Sequence, residues 1–398
     1  MKIVRLTEER DTPQRMRVLL LANTDWYLYN FRFSLAKAIR DEGHEVVLAS
    51  PPGKYASRFQ QEGFRWVGVP IRRFSANPVR ELATIVKIFL LYRREKPDLV
   101  HHFTIKCVVY GSLVARLLGI RGIVNSITGL GYVFSGEDWR ARLLRTPIVT
   151  LYRRILGRTQ VIFQNAEDRE FFLKLGIASS ENCHLVRGSG VDIERFRSSP
   201  QPEGIPVVIL ASRLLWDKGV GEFVQAAVLV KGQGMPARFV LVGTPDPENP
   251  NSVPETQLKL WADQGIVEWW GMRENMPSVI EQSSVVCLPS AYGEGVPKIL
   301  IEAAACGRPV VASDAPGCRD IVHHGVNGLL VPPRDAPAVA EAVLRLLTDP
   351  DLRKEMGERG VQIARDSFSV QQVIRETLRI YETVTTKESR LKENTERV

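Results

Sequence analysis

Two pairs of charged side chains stand out by their spacing in the second half of this 398-residue chain. The first is Arg213 and Lys218, in the segment ASRLLWDKG (211–219), directly after the apolar run Val207–Ala211. If that run is a strand, Arg213 leaves its carboxyl end and Lys218 enters the next helix. Both cations can then point into one cleft, where a diphosphate would accept charge-assisted hydrogen bonds of about 1.5–3 kcal/mol each. Taken alone, the segment also reads as an ordinary loop with solvated charges.

The second pair, Glu294 and Glu302, lies in PSAYGEGVPKILIEAAACGRPVVAS (289–313). Pro289 ends an apolar run, Gly293–Pro297 makes a tight turn, and Pro297 fits the first position of a helix over Lys298–Cys306. A helix start offers free N–H groups and about half a positive charge, which suits phosphate oxygens. Two carboxylates beside such a seat do not favour the anion itself. They are suited to accept hydrogen bonds from hydroxyl groups, such as those of a ribose or a sugar. A pair of surface glutamates eight residues apart is the plainer alternative.

Other chemistries lack their signatures. The first strand candidate is followed by Asn23-Thr24-Asp25-Trp26-Tyr27 rather than by a G-x-G-x-x-G turn, and no G-x-x-x-x-G-K-[ST] loop occurs. The six histidines form no metal-binding pattern; the adjacent pairs His101-His102 and His323-His324 point opposite ways if extended. No Asp-x-Asp pair sits at a suitable strand end, so neither a metal nor a cofactor is expected. The five cysteines have no metal-ligand spacing and fit a reducing cytosol.

The elements that would position these residues obey a repeated grammar. Strand candidates in the first half are Val18–Ala22, Glu45–Ala49, Trp66–Val69, Leu99–Phe103, Ile123–Ser126, Val161–Gln164 and His184–Val186. The second half restarts with Val207–Ala211, Phe239–Val242, Val267–Trp270, Val285–Leu288, Val310–Ala312 and Leu329–Val331. Continuous apolar runs of this length suit strands covered on both faces, and amphipathic segments such as Phe33–Glu42 and Asn77–Glu95 lie between them. The pattern predicts an α/β protein with two doubly wound, Rossmann-like domains facing a central cleft, with ligands at the carboxyl ends of the strands. The expected order is an extension over 1–15, a first domain over 16–190, a Gly-, Pro- and Ser-containing linker over 191–205 and a second domain over 206–368. A C-terminal helix over 369–386 packing back on the first domain comes next, then a charged, fraying tail over 387–398.

Charge is unevenly distributed. Residues 1–200 hold 32 basic and 19 acidic side chains, residues 201–398 hold 21 and 26, and the excess concentrates in 51–160. The segment WRARLLRTPIVTLYRRILGR (139–158) sets six arginines around Leu144, Ile148, Leu151 and Ile155, with Trp139 and Tyr152 suited to a lipid headgroup level. It reads either as a core-facing helix with a solvated basic face or as a face held against anionic lipid. Nucleic acid is a poor partner, because no reading module accompanies the charge. No stretch reaches the ~18 apolar residues of a membrane span, and the N-terminus lacks the apolar region of a signal peptide.

With these segments in hand, the chain resembles the retaining GT-B glycosyltransferases of family 4 over about residues 16–385, most densely over 207–335. The resemblance rests on Arg213…Lys218, Glu294…Glu302, GHEV (43–46), GVD…RF (190–196), ACGRPVVASDAPGCRDIV (305–322) and GVNGLLVPPRD (325–335). It implies that Arg213 and Lys218 hold the diphosphate of a nucleotide-sugar donor. Glu294 would contact the hydroxyls of the transferred sugar and Glu302 the ribose. Gly295, Val296 and Pro297 would place backbone against sugar and phosphate, with Lys298 at the helix start and Arg273 lining the base pocket. In the first half, YNFR (29–32), HFTIKCVVYG (102–111) and TGLGYVF (128–134) resemble the subset acting on polyprenyl-diphosphate-linked sugars, with Arg32 and Lys106 as acceptor-phosphate contacts.

The resemblance further implies a UDP-sugar donor, a polyprenyl-diphosphate-linked acceptor, metal-independent transfer of a hexose or N-acetylhexosamine, and a cytoplasmic enzyme peripheral to the inner membrane face. Many family members carry an active-site histidine in the first domain; here Thr104-Ile105 precede Lys106, and Thr128-Gly129 occupy the glycine-rich loop. No catalytic histidine is assigned, and His102 reads as a structural strand-end residue. The alternatives are a nucleotide-sugar epimerase of the same fold and a non-catalytic scaffold at a membrane surface.

Overall fold

A computed structural model describes residues 15–75, 77–129, 134, 139–291 and 293–396. Thirteen strands among them form two parallel sheets. The first has β1 (Arg17–Leu21), β2 (Glu45–Ser50), β3 (Arg65–Gly68), β4 (Leu99–Phe103), β5 (Gly122–Ile127), β6 (Gln160–Phe163) and β7 (Cys183–Leu185), in the order β3-β2-β1-β4-β5-β6-β7. The second has β8 (Val207–Ala211), β9 (Arg238–Val242), β10 (Glu268–Gly271), β11 (Val285–Leu288), β12 (Val310–Ser313) and β13 (Gly328–Val331), in the order β10-β9-β8-β11-β12-β13. Each apolar run read from the sequence is a strand, displaced by one residue at most at either end.

The central strands are mostly apolar because both of their faces are covered, while the edge strands β3 and β10 are partly exposed. Along β1, Val18 and Leu20 enter the core on one side of the sheet while Leu19 and Leu21 enter the core on the other. In β8, Val208 and Leu210 face one core, and Val207, Ile209 and Ala211 face its opposite. Strand order reverses between β1 and β4 in the first sheet and between β8 and β11 in the second. Those reversals open crevices at the carboxyl ends of the strands, where ligands of such sheets bind.

Two segments differ from expectation. The stretch 191–205 is packed onto the second domain rather than hanging between the two: Val191 and Phe196 are buried in its core. Arg308, 1% exposed, donates to Ser199 O (2.7 Å), Ser199 Oγ (2.7 Å) and Pro200 O (2.9 Å), so buried hydrogen bonds strap the chain down. The last helix runs Val370–Glu396, ten residues past the expected end at 386, because the segment is rich in Lys, Glu, Arg and Leu, which favour helix. Its first half crosses back to the first domain, where Val373, Ile380, Tyr381 and Val384 join the core. The two crossings lie side by side, Val191 N–H bonding Phe368 O (2.8 Å) and Val370 N–H bonding Val191 O (2.9 Å). Gly190 sits between them at φ +76°, where a Cβ would stand 2.6 Å from Val370 Cα.

Candidate active site

The loops after β8 and β11 are built as one unit. The 3-10 turn Trp216–Lys218 ends at Gly219, φ +75°, which lies so close to the chain after β11 that a Cβ would come within 2.0 Å of Pro289 O. Asp217 O accepts from Ser290 Oγ (3.1 Å) and Ala291 N–H (2.8 Å). This knot brings Lys218 and Glu294 together: the Lys218 ammonium pairs with Glu294 Oε2, both side chains being largely buried. The other carboxylate oxygen, Glu294 Oε1, is buried with no hydrogen-bond partner among the described residues. An unsatisfied buried carboxylate oxygen costs on the order of 1–3 kcal/mol or more, so it marks a place where a hydroxyl donor fits.

The next helix, Lys298–Ala305, starts with Pro297 as the residue before its first turn, one place earlier than the sequence suggests, and no side chain caps it. Among the described residues the backbone N–H groups of Lys298 and Ile299 have no partner, as expected of the first turn of a helix that no side chain caps. Glu302, one turn on, is 7% exposed; burial raises its pKa, and the cations Lys298 and Arg195 oppose that rise without cancelling it. Lys298 Nζ lies 3.6 Å from Glu302 Oε1 and also donates to Asn30 O of the first domain, with its ammonium 5.1 Å from the centre of the Phe31 ring. Val296 is buried against Gly188.

The first domain closes on the turn before this helix. A Cβ on Gly295 would lie 2.1 Å from Gln164 Oε1 and 3.1 Å from Thr128 O, so glycine permits the two domains to meet. Asn165 donates from Nδ2 to Glu294 O at 3.0 Å while its Oδ1 caps the helix Ala166–Lys174. Gly317, at φ +79°, supports the turn from the other side; a Cβ there would stand 1.6 Å from Gly295 O.

The remaining residues singled out in the sequence fall into separate settings. Arg213, about half exposed, pairs with Asp246 Oδ2 at 2.9 Å. Burial works against the Asp246 carboxylate, but hydrogen bonds from Arg73 and Arg213 outweigh it and hold its pKa below the ordinary value. Arg273 is exposed beyond β10 and enters no ion pair among the described residues, whereas its neighbour Glu274 pairs across the cleft with Lys54 (3.0 Å) and Arg58 (3.1 Å).

Arg32 ends the π-helical turn Leu28–Arg32 and is 5% exposed. It donates to Tyr27 Oη (3.0 Å), lies over the Phe103 ring (4.6 Å), and has no carboxylate in ion-pair distance among the described residues. Phe103 ends β4, so Arg32 occupies the strand-order reversal of the first sheet. Lys106 is engaged elsewhere: its ammonium donates to Arg72 O (2.7 Å), Ser75 O (2.6 Å) and Glu81 Oε1 (2.9 Å). All three protons are committed, so an acceptor phosphate would have to displace them.

His101 and His102 are buried. His101 bonds Tyr381 Oη (2.6 Å) and Ser126 Oγ (2.8 Å); His102 bonds Tyr92 Oη (2.8 Å) and Asn125 Oδ1 (2.8 Å). Burial lowers both pKa values, that of His102 to about 4. These are neutral core histidines. Of the glycine-rich segment 128–134, residues 130–133 lie outside the described residues.

The sequence reading missed Arg73, Asp246, Gln164 and Asn165. Only Asn165 carries a local signal, as a helix cap directly after an apolar run.

Two Rossmann-like domains, each with a strand-order reversal, meeting over one cleft define the GT-B architecture. Comparison with known proteins agrees. Residues 17–165 match the family described as "Glycosyl transferase 4-like" and residues 205–349 match "Glycosyl transferases group 1", together most of the chain. Both halves of the chain thus match glycosyltransferase families. The chain is 28% identical to the N,N'-diacetylbacillosaminyl-diphospho-undecaprenol alpha-1,3-N-acetylgalactosaminyltransferase of Campylobacter jejuni, over 88% of this chain and 94% of that protein. It is 24% identical to the UDP-Gal:alpha-D-GlcNAc-diphosphoundecaprenol alpha-1,3-galactosyltransferase of Escherichia coli, over 68% and 72%. The crystal structure of Anabaena HepE in complex with UDP-glucose superposes with a TM-score of 0.74 at 23% identity, covering 94% of this chain and 100% of that one; it shows likeness of fold.

Proposed function

We propose that this protein is a retaining hexosyltransferase that moves a hexose or N-acetylhexosamine from a UDP-sugar to a saccharide carried on a polyprenyl diphosphate, in assembly of a bacterial surface glycan or glycoprotein glycan. The observation that carries this reading is Glu294, whose Oε2 is neutralised by Lys218 while Oε1 lies buried without a partner among the described residues. A sugar hydroxyl supplies the missing donor. A diphosphate then falls to Arg213, Lys218 and the free N–H groups of the Lys298–Ala305 helix. Glu302, kept more easily protonated by burial, receives the ribose hydroxyls.

In the reaction, an acceptor hydroxyl oxygen bonds to the anomeric carbon as the bond from that carbon to the diphosphate breaks. The hydroxyl proton passes to the departing diphosphate oxygen on the same face, and the cations hold the charge that develops there. The buried, neutral histidines take no part. Excess chelator leaves the rate unchanged in this reading; loss of activity restored only by a divalent ion would contradict it.

The names of the Campylobacter and Escherichia relatives support the acceptor class, and Arg32 is the candidate contact for its phosphate. An acceptor held in a bilayer calls for a membrane-facing surface. The helix Pro78–Glu95 offers one: Val79, Leu82, Val86 and Leu90 form an exposed stripe, bordered by Arg80, Lys87, Arg93 and Arg94. The arginine-rich helix Trp139–Leu156 is less suited. Its Val149, Tyr152, Ile155 and Leu156 are core residues, so Tyr152 is not available at a headgroup level. Among the described residues no helix is long and apolar enough to cross a membrane.

A thermal-shift panel of UDP-, GDP- and ADP-sugars tests the donor reading. Stabilisation is expected with UDP-sugars, and none with any nucleotide sugar would favour a scaffold.

A further inference from the structure

A run of contacts starting at Lys106 ends at the cation assigned to the donor. The loop carrying Arg73 is held by Lys106 through the carbonyls of Arg72 and Ser75, on either side of it. Glu81 anchors Lys106 in turn, its second oxygen accepting from Tyr110 Oη at 2.7 Å. From this braced loop Arg73 reaches across to the second domain and grips Asp246 with two parallel bonds, Nη1 to Oδ2 at 2.9 Å and Nη2 to Oδ1 at 2.7 Å. Asp246 Oδ2 also accepts from Arg213 Nη1, while Asp246 N–H donates to Ser252 Oγ at 2.9 Å. One buried carboxylate is thus shared by an arginine from each domain.

We propose that Arg73 is a positioning residue for the nucleotide-sugar donor, acting through Asp246 on Arg213, and that Lys106 acts through Arg73. The inference rests on the assignment of the donor diphosphate to Arg213. An Asp246–Arg213 pair alone is electrically neutral, so the carboxylate cancels much of the attraction that Arg213 offers a diphosphate. Docking of Arg73 supplies a second positive charge, and the three groups together present one net positive charge. Glu248 also touches Arg73 (3.1 Å), but its side chain is largely exposed and solvent screens it. Asp246 holds only one guanidinium nitrogen of Arg213, leaving the others to turn toward the cleft.

The consequence is coupling between closure and binding. The two domains are joined at this point by the Arg73 fork, so the closed form binds a diphosphate more tightly than an open form lacking it. By linkage, the donor favours the closed form by the same factor. The acceptor-side lysine therefore contributes to donor affinity without touching the donor.

Titration calorimetry with UDP on the full chain tests this, comparing wild type, Arg213→Ala, Arg73→Gln, Lys106→Met, Asp246→Asn and the double variant Arg73→Gln/Asp246→Asn. Circular dichroism confirms that each folds. Arg73→Gln and Lys106→Met are expected to weaken UDP binding by about fivefold or more, the low end of ordinary site-to-site coupling. Arg73→Lys restores most of the loss, and Arg73→Gln has no further effect once Asp246 is Asn. Wild-type affinity in Arg73→Gln, or losses that add in the double variant, would overturn the coupling. Unchanged affinity in Arg213→Ala, or no UDP binding by the wild type, would instead overturn the donor assignment and the coupling with it.

Discussion

The two sheets share the strand order 3-2-1-4-5-6, with one extra strand in the first, yet their switch points hold opposite kinds of chemistry. At the second, a lysine, two carboxylates and a helix start are drawn together by a knot of short loops, and one carboxylate oxygen lacks a partner among the described residues. At the first, the polar groups are already satisfied or shielded. His101 and His102 are bonded on both ring nitrogens, Lys106 spends its protons on its own domain, and Arg32 rests on aromatic faces. In the proposed reaction, the site for a soluble, polar donor needs converging polar atoms. The domain proposed to receive a lipid-linked acceptor can recruit from the bilayer and needs only one or two charges. The difference teaches that one fold supplies the crevice twice, while the loops decide whether it performs chemistry or positions a partner.

The largest effect that would break this contrast is at Lys218. Lys218→Ala is expected to lower transfer by about 10²–10³-fold, the usual cost of one preorganised electrostatic contact, with circular dichroism unchanged. Activity near wild type would move the chemistry elsewhere. Smaller but specific is the turn where the domains meet. Gly317→Ala forces a Cβ against the carbonyl of Gly295, with backbone on both sides and no relief. It is expected to destabilise by about 1–3 kcal/mol, seen as a lower urea midpoint. Gly295→Ala meets instead the end of the flexible Gln164 side chain, so Gly295→Ala/Gln164→Ala should recover much of the activity that Gly295→Ala loses.

A third prediction belongs to the first domain alone. His102 stays neutral in the folded chain down to about pH 4, whereas an imidazole in the unfolded chain gains its proton near 6.5. The unfolded chain binds more protons across that window, so this contribution to stability is complete above pH 6.5 and lost as pH falls toward 4. It amounts to about 3 kcal/mol. Urea titrations at pH 7 and pH 4.5 should therefore show wild type losing more stability than His102→Gln; equal losses would mean that His102 does not stay neutral. The smallest effect is at the membrane. Lys87→Ala on the helix Pro78–Glu95 should weaken sedimentation with anionic vesicles by about 1 kcal/mol, and Leu82→Glu should weaken it further. Arg154→Ala should change it less, and the reverse order would return the lipid face to the Trp139–Leu156 helix.

Much of this molecule is legible in its sequence because burial on both faces of a parallel sheet leaves a simple mark. The strands are short apolar runs, and reading Val18–Ala22 or Val207–Ala211 requires no knowledge of the partner strand. Lys218 and Glu294 are legible for a different reason: each sits within a few residues of a strand end, so local spacing fixes where it goes. Lys106 is not, since its partners are carbonyls 34 and 31 residues away together with Glu81, and a sequence shows the cation without showing its acceptors. Asp246 hides in the loop TPDPENPNS (244–252), which reads as turn chemistry; its meaning depends on Arg73, 173 residues earlier. The last helix reads too short because a charged, polar segment resembles a frayed tail until its helix-favouring residues are weighed.

The most direct measurement is a transfer reaction with product mass as the readout. Purified protein is mixed with a UDP-hexose or UDP-N-acetylhexosamine and a short-chain polyprenyl-diphosphate-linked saccharide. If the second switch point is the donor site, the acceptor gains the mass of one sugar residue with wild type, and the gain disappears with Lys218→Ala. An acceptor unchanged by every UDP-sugar to which the protein binds, or sugar gained equally by Lys218→Ala, would contradict the assignment.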